Sequence, residues 1–258
     1  MAILLKTFYR RLLIMTWGSF GTTHIITLVL AALINIVLYF ILKNKSRATQ
    51  TAVLFIFSLS GIAAIIFNLV TWGSPIEYLP FHLCSLTAMV LPIAVLTKSK
   101  ALSNLLLLWS LGALAALVMN QAQANYEIFS KTFFFYYFPH TFEFGIPILL
   151  FKLGLVKKDV KCIGSTLGIT LAAYTVIHFI NLAINSYCVE NNVLDYAGNV
   201  IQVNYMYSVT PSIPILQTFY NIIPHSYWYL LMAVPIILVY LFVIYLPDIC
   251  KAIFKKKA

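Results

Sequence analysis

Charge is what this chain has least of. Only 9% of its 258 residues are charged, and Asp and Glu together number seven. A soluble domain carries about a quarter, so this composition cannot clothe a water-facing surface. Cysteine is sparse as well. Cys84, Cys162, Cys188 and Cys250 lie far apart and fit no zinc-ribbon spacing. His82, Cys84, His140 and His178 could together hold a metal, but no compact H-x-x-x-H or C-x-x-C supports one, and no coenzyme A site is evident, so neither metal nor cofactor is expected. No small-residue cleavage site follows the first apolar run, which is therefore expected to be retained. No internal repeat of the kind transporters carry is visible.

What is abundant is apolar. Hydrophobic residues make up 62% of the chain and the mean hydropathy is +0.92. Several runs approach or exceed the roughly 20 residues that cross a bilayer as helix. The expectation is an all-α, polytopic membrane bundle of about seven transmembrane helices, a single domain over residues 1–258. The spans are expected near 22–42, 50–71, 80–96, 101–119, 132–150, 162–184 and 226–246. Pro80 suits the first turn of the third span, and Pro139-His140 interrupts the fifth. Residues 1–20 suit a short interfacial helix or a frayed terminus. Residues 186–224 read as a long polar extracellular loop.

The net charge of +10 is no nucleic-acid signal, because the bases sit in short loops between apolar runs. Thirteen of the seventeen Lys and Arg residues fall in alternate loops and the C-terminal tail. By the positive-inside rule that face is cytoplasmic, which puts the N-terminus outside and the C-terminus inside. A multi-pass protein of the cell membrane follows.

That topology gathers polar groups at one end. Cys84, Asn120, Gln121, Gln123, His140, His178 and Asn181 all fall in the outer half, while the inner half is nearly all apolar. Polar side chains in a membrane are costly unless they meet partners or water, so a cavity open to the outer leaflet is expected. Cys84 lies within the first turns of its span, where free N–H groups favour a thiolate. A nucleophilic cysteine needs a base. His82, two residues away, points elsewhere on a regular helix, whereas His140 comes from another span. Glu143 is three residues from His140 and could orient its imidazole. The Asn and Gln side chains suit an oxyanion. Bland readings stand beside these: a small buried hydrophobe for Cys84, a Cys84–Cys188 disulfide, and interhelical hydrogen bonds for the histidines and amides.

Leu79-Pro80-Phe81-His82-Leu83-Cys84 resembles the LP-x-H-x-C signature of the bacterial YwaF-like integral membrane proteins. Phe138-Pro139-His140, Asn204-Tyr205-Met206-Tyr207 with Pro211, and Tyr227-Trp228-Tyr229 extend the resemblance in family order. That family is similar to a eukaryotic transmembrane acyltransferase that remodels ether phospholipids. It is more distantly similar to the androgen-induced transmembrane hydrolases. The resemblance implies that Cys84 forms an acyl thioester and that His140 is its base.

Two functions are expected from these readings. The first is an integral membrane lipid acyltransferase or acyl hydrolase acting on membrane phospholipids that enter sideways. Cys84 and His140 would be catalytic, with His82, Asn120, Gln123, Glu143, His178, Asn181, Asn204 and Tyr205 binding substrate. The alternative is a non-enzymatic transporter or partner subunit that uses the same polar cluster as a pocket.

Overall fold

A computed structural model of the chain describes residues 15–72 and 74–255. Among the described residues the chain is all-helical apart from turns and two isolated β-bridges. Eight α-helices follow one another: α1 (Thr22–Leu42), α2 (Arg47–Thr71), α3 (Leu83–Thr97), α4 (Lys100–Val118), α5 (Lys131–Lys152), α6 (Cys162–Glu190), α7 (Pro214–Ile222) and α8 (Val234–Lys255). Five stretches are long and apolar enough to cross a membrane: α1, α2, α4, α6 and Trp228–Asp248.

The other two expected spans are also helices, each of a different kind. α5 runs unbroken through Pro139 and Pro147 rather than being interrupted at Pro139-His140. It packs against α1, α2, α3 and α4 and buries most of its length. A helix wrapped by other helices has no need of a lipid-compatible surface, and this one carries Tyr, His, Thr and Glu instead. α3 has 15 residues, which is about 22 Å and short of the roughly 30 Å hydrocarbon core.

Local chemistry sets several boundaries. Ser46, Ser99 and Ser130 each accept a hydrogen bond from the backbone N–H three residues on, at 3.2, 3.4 and 3.1 Å, and so start α2, α4 and α5. α3 begins at Leu83, not at Pro80. His82 is its N-cap in an extended conformation, and Phe81 N–H turns back to the carbonyl of Leu79 at 2.7 Å. Pro80 thus belongs to the approach to the helix.

Two further expectations need correction. Met15–Phe20 is not helical. Trp17 N–H bonds Tyr126 O and Gly18 N–H bonds Ala124 O, both at 2.8 Å, so this piece pairs with the α4–α5 connection around the isolated Thr16–Glu127 bridge. Trp17 is fully buried, its indole donating to Thr27 Oγ1 at 2.7 Å. The remainder of the expected interfacial helix, residues 1–14, lies outside the described residues. The 186–224 stretch is also more than a polar loop, since α6 runs on to Glu190 and α7 occupies part of it.

The basic loops do converge. Arg47 reaches Leu153 O at 2.5 Å, Lys158 pairs with Asp248 at 2.8 Å, and Lys100 pairs with Asp159. These contacts tie the α1–α2, α3–α4 and α5–α6 connections and α8 into one end of the bundle. The described part of the core nearest that end is a continuous apolar cluster around Leu54, Leu91, Leu106, Ile146 and Leu150.

Candidate active site

The site is built where α2, α3 and α5 touch. Gly61 of α2 makes the approach close: a methyl placed on it would stand 2.5 Å from Ala88 Cβ of α3 and 2.8 Å from Glu143 Oε1 of α5. Consecutive packed helices are antiparallel, so α3 and α5 run the same way. Cys84 is four residues above Ala88, about 6 Å, and His140 is three above Glu143, about 4.5 Å. The two side chains are therefore at nearly one depth. By the same measure α2 continues about 15 Å beyond Gly61, so Cys84 sits well below the rim. The late start of α3 brings this about.

The His140 imidazole is held by its own helix. Its Nδ1–H donates to the carbonyl of Tyr136 at 2.6 Å, and the Tyr136 ring covers it with centroids 4.3 Å apart. Nε2 makes no hydrogen bond among the described residues, which leaves it free to take a proton. Tyr136 is fixed in turn by its hydroxyl donating to Ala116 O of α4 at 3.1 Å. His140 is 7% exposed and Cys84 is only partly buried.

Glu143 does not orient the imidazole, contrary to expectation. It makes no hydrogen bond among the described residues, and its Oε2 is buried without a partner. Its direction along α5 sends it toward Gly61 and into electrostatic range of Cys84 instead. At the N-cap His82 escapes the helical rule that would have turned it away.

A cap closes the site from above. Met206 N–H donates to His82 Nδ1 at 3.3 Å. The rings of Tyr205 and Tyr207 each lie 5.6 Å from that of His82. Tyr205 also donates its hydroxyl to Ile76 O and packs on Phe81. Met206, Tyr207 and Tyr227 all adopt positive φ, at 53°, 55° and 68°, a conformation that non-glycine residues keep only where the surroundings hold it. Burial pushes the Tyr205 phenol up to about 12 and raises that of Tyr207 as well. Both stay neutral at physiological pH.

The expected substrate-binding residues divide. His82 and Glu143 are at the centre. Asn181 is fully buried and holds the cap: it donates to Tyr205 O at 2.8 Å and Ser208 Oγ at 2.9 Å, and accepts from Tyr205 N–H at 3.0 Å. His178 reaches the same Ser208 Oγ at 3.1 Å. Asn204 closes its own turn, accepting from Val209 and Thr210 N–H at 3.0 and 3.3 Å. Asn120 donates to Gly18 O at 2.7 Å and so serves the N-terminal segment, while Gln123 sits in the same connection with backbone bonds alone. The four cysteines are all free, which removes the Cys84–Cys188 disulfide; Cys188 is instead fully buried beside Ile177 and Tyr205. Sequence reasoning missed Tyr136 as a site residue, and it quoted Tyr207 only within a motif. Tyr136 lies four residues before His140, and that spacing was the available signal.

The segments that form this site, from Leu79 to Tyr229, all fall within a single family match covering residues 19–245. The chain belongs to the TMEM164 family. Members are transmembrane proteins, and the apolar helices above agree with a multi-pass membrane protein. Comparison with curated proteins and with solved structures returns no match. In this TMEM164-family chain no group of three or more potential metal ligands converges among the described residues.

Proposed function

We propose that this TMEM164-family protein is a membrane lipid acyltransferase or acyl hydrolase that works through a Cys84 thioester. The observation that supports this best is the common depth of Cys84 and His140, with the imidazole tied at Nδ1 and open at Nε2. Nε2 takes the Cys84 proton, and the sulfur attacks the ester carbonyl of a phospholipid. The C–O bond breaks as His140 returns the proton to the leaving lysolipid oxygen. A thioester remains. A second hydroxyl then gives its proton to Nε2 and attacks the thioester, releasing the Cys84 thiol. A lysolipid as acceptor makes the overall reaction a transfer; water makes it hydrolysis.

The similarity of the Leu79–Cys84, Phe138–His140 and Asn204–Tyr207 motifs to the YwaF-like proteins and the ether-phospholipid acyltransferase supports the same reading. So does the placement of all three motifs around one point. We also propose that the basic end is cytoplasmic, which puts the site in the outer half of a plasma membrane. The deciding measurement is intact mass after incubation with phospholipid vesicles. A mass gain equal to an acyl chain, lost with neutral hydroxylamine and absent in Cys84→Ala, is the expected result. No gain in the wild-type protein, even on prolonged incubation, overturns the covalent mechanism.

A further inference from the structure

Four tyrosines belong to the site and its cap, and three of them spend their hydroxyls on backbone carbonyls. Tyr136 donates to Ala116 O at 3.1 Å, Tyr205 to Ile76 O and Tyr229 to Tyr207 O. The hydroxyl of Tyr207 makes no hydrogen bond among the described residues. Two of the amides expected to serve an oxyanion are engaged as well. Asn120 donates to Gly18 O, and Asn181 donates to Tyr205 O and Ser208 Oγ.

Tyr207 is clamped on both sides of its Cα. Its N–H donates to Asn204 O at 3.0 Å, and its carbonyl accepts from Tyr229. Met206 and Tyr207 keep consecutive positive φ values of 53° and 55°, a costly conformation for residues with side chains. That conformation lays the Tyr207 ring 5.6 Å from the His82 ring at 55°, against the N-cap of α3. Cys84 is two residues further on, about 3 Å along the axis. Leu86 N–H is the first of α3 to bond back, to His82 O at 3.0 Å, and no side chain caps the helix. The N–H groups of Cys84 and Ser85 therefore have no helical acceptor. A donor must also keep its proton. Burial first, and the nearby Cys84 second, raise the Tyr207 phenol above its ordinary value.

We propose that Tyr207 is a catalytic hydrogen-bond donor, whose hydroxyl joins the free N–H groups at the start of α3 in holding the acyl carbonyl oxygen while Cys84 attacks. The sulfur–carbon bond forms as the π pair of the carbonyl moves onto its oxygen, and Tyr207 bonds the oxyanion that results. The pair returns as the ester C–O bond breaks, and the leaving oxygen departs with the proton that His140 took from the thiol. Tyr207 keeps its own proton throughout. The inference deepens the thioester reading of Cys84 and rests on it, but it is tested apart from phospholipid.

The experiment treats the full-length protein in detergent micelles with p-nitrophenyl octanoate and, in parallel, with iodoacetamide. Acylation is read as the initial p-nitrophenolate release beyond that of Cys84→Ala, and alkylation as the mass gain of the Cys84 peptide. The ester reacts through an oxyanion; iodoacetamide reaches the same sulfur by displacement and forms none. Tyr207→Phe keeps the ring against His82 and removes only the hydroxyl. It should slow acylation by about 10²–10³-fold, the worth of one oxyanion donor, while alkylation and the melting temperature stay at wild-type values. Acylation at the wild-type rate overturns the inference, even where phospholipid vesicles do give the Cys84 adduct. Acylation and alkylation slowed alike overturn it too and make Tyr207 a packing residue, as does a wild-type Cys84 that takes no ester. Acylation that depends on Tyr207, with no adduct from phospholipid vesicles, keeps the inference and removes only phospholipid as the substrate.

Discussion

The Nδ1–H of His140 is bonded to the carbonyl oxygen of Tyr136 at 2.6 Å, one helical turn earlier in the same helix. A carbonyl can only accept, so Nδ1 carries the proton and Nε2 is left as the basic nitrogen. The imidazole is thus oriented by the backbone of its own helix. His24 makes the contrast. Its Nδ1 takes the N–H of Phe20 at 2.9 Å and its Nε2 lies 2.8 Å from Leu117 O. Both nitrogens are spent on structure, so it has none to offer chemistry.

Replacing His140 by Ala should slow formation of the Cys84 thioester by about 10²–10⁴-fold, the usual worth of a positioned base. Stopped-time intact-mass measurements follow it directly. Glu143→Gln keeps the shape and leaves the Nδ1 bond untouched, so an equally large loss in that variant would return the orienting role to Glu143.

Asn181→Ala should loosen the cap. It leaves the Tyr205 N–H unpaired in a buried place, at a cost of about 1–3 kcal/mol, and the Tyr205 C=O with only its 3.4 Å bond from Ser208 N–H. The melting temperature in detergent should fall, and hydrogen exchange should rise in residues 203–208 while α1 stays protected. Asn204→Ala, on a more exposed turn, should fall by less.

Gly61→Ala and Gly145→Ala should both destabilise the bundle, by about 1–3 kcal/mol as overpacking does. The added methyls would meet Ala88 Cβ at 2.5 Å and Asn35 Oδ1 at 1.6 Å. Gly168→Ala has nothing within 4 Å of its new methyl and should be neutral or slightly stabilising. Thermal shift of the three variants side by side is the measurement, and equal shifts would mean the α2–α3–α5 contact is looser than described.

The 195–199 turn should be acid-resistant. Asp195 accepts from Ala197 and Asn199 N–H, both at 2.8 Å, and these bonds, that from Asn199 first, hold its carboxyl below the ordinary range. A depressed carboxylate stabilises the fold at pH values above its unfolded pKa. That contribution fades only as the pH falls through the lowered folded one. Exchange in peptides covering 193–201 should therefore stay flat through the normal carboxylate range and rise below it. In Asp195→Asn it should be fast at every pH.

All four thiols should react with a maleimide after denaturation without any reductant, giving four additions by mass. Two additions in place of four would restore a disulfide.

Hydropathy and charge are sums over short windows, so the sequence by itself determined the membrane class, the places of the apolar helices and the common end of the basic loops. That Cys84 and His140 fall in the same half of the bundle was also legible there, from the order of the spans. Which side chain meets which depends on the rotation and register of packed helices, and no local window carries those. Hence only the tertiary structure decided that α3 starts low, that Glu143 faces Gly61 and not the imidazole, and that Asn181 and Tyr205 form the cap. Trp17 is the same case: within a segment that reads as interfacial, it is buried because Tyr126 O in the connection before α5 takes its backbone N–H and Thr27 Oγ1 takes its indole N–H.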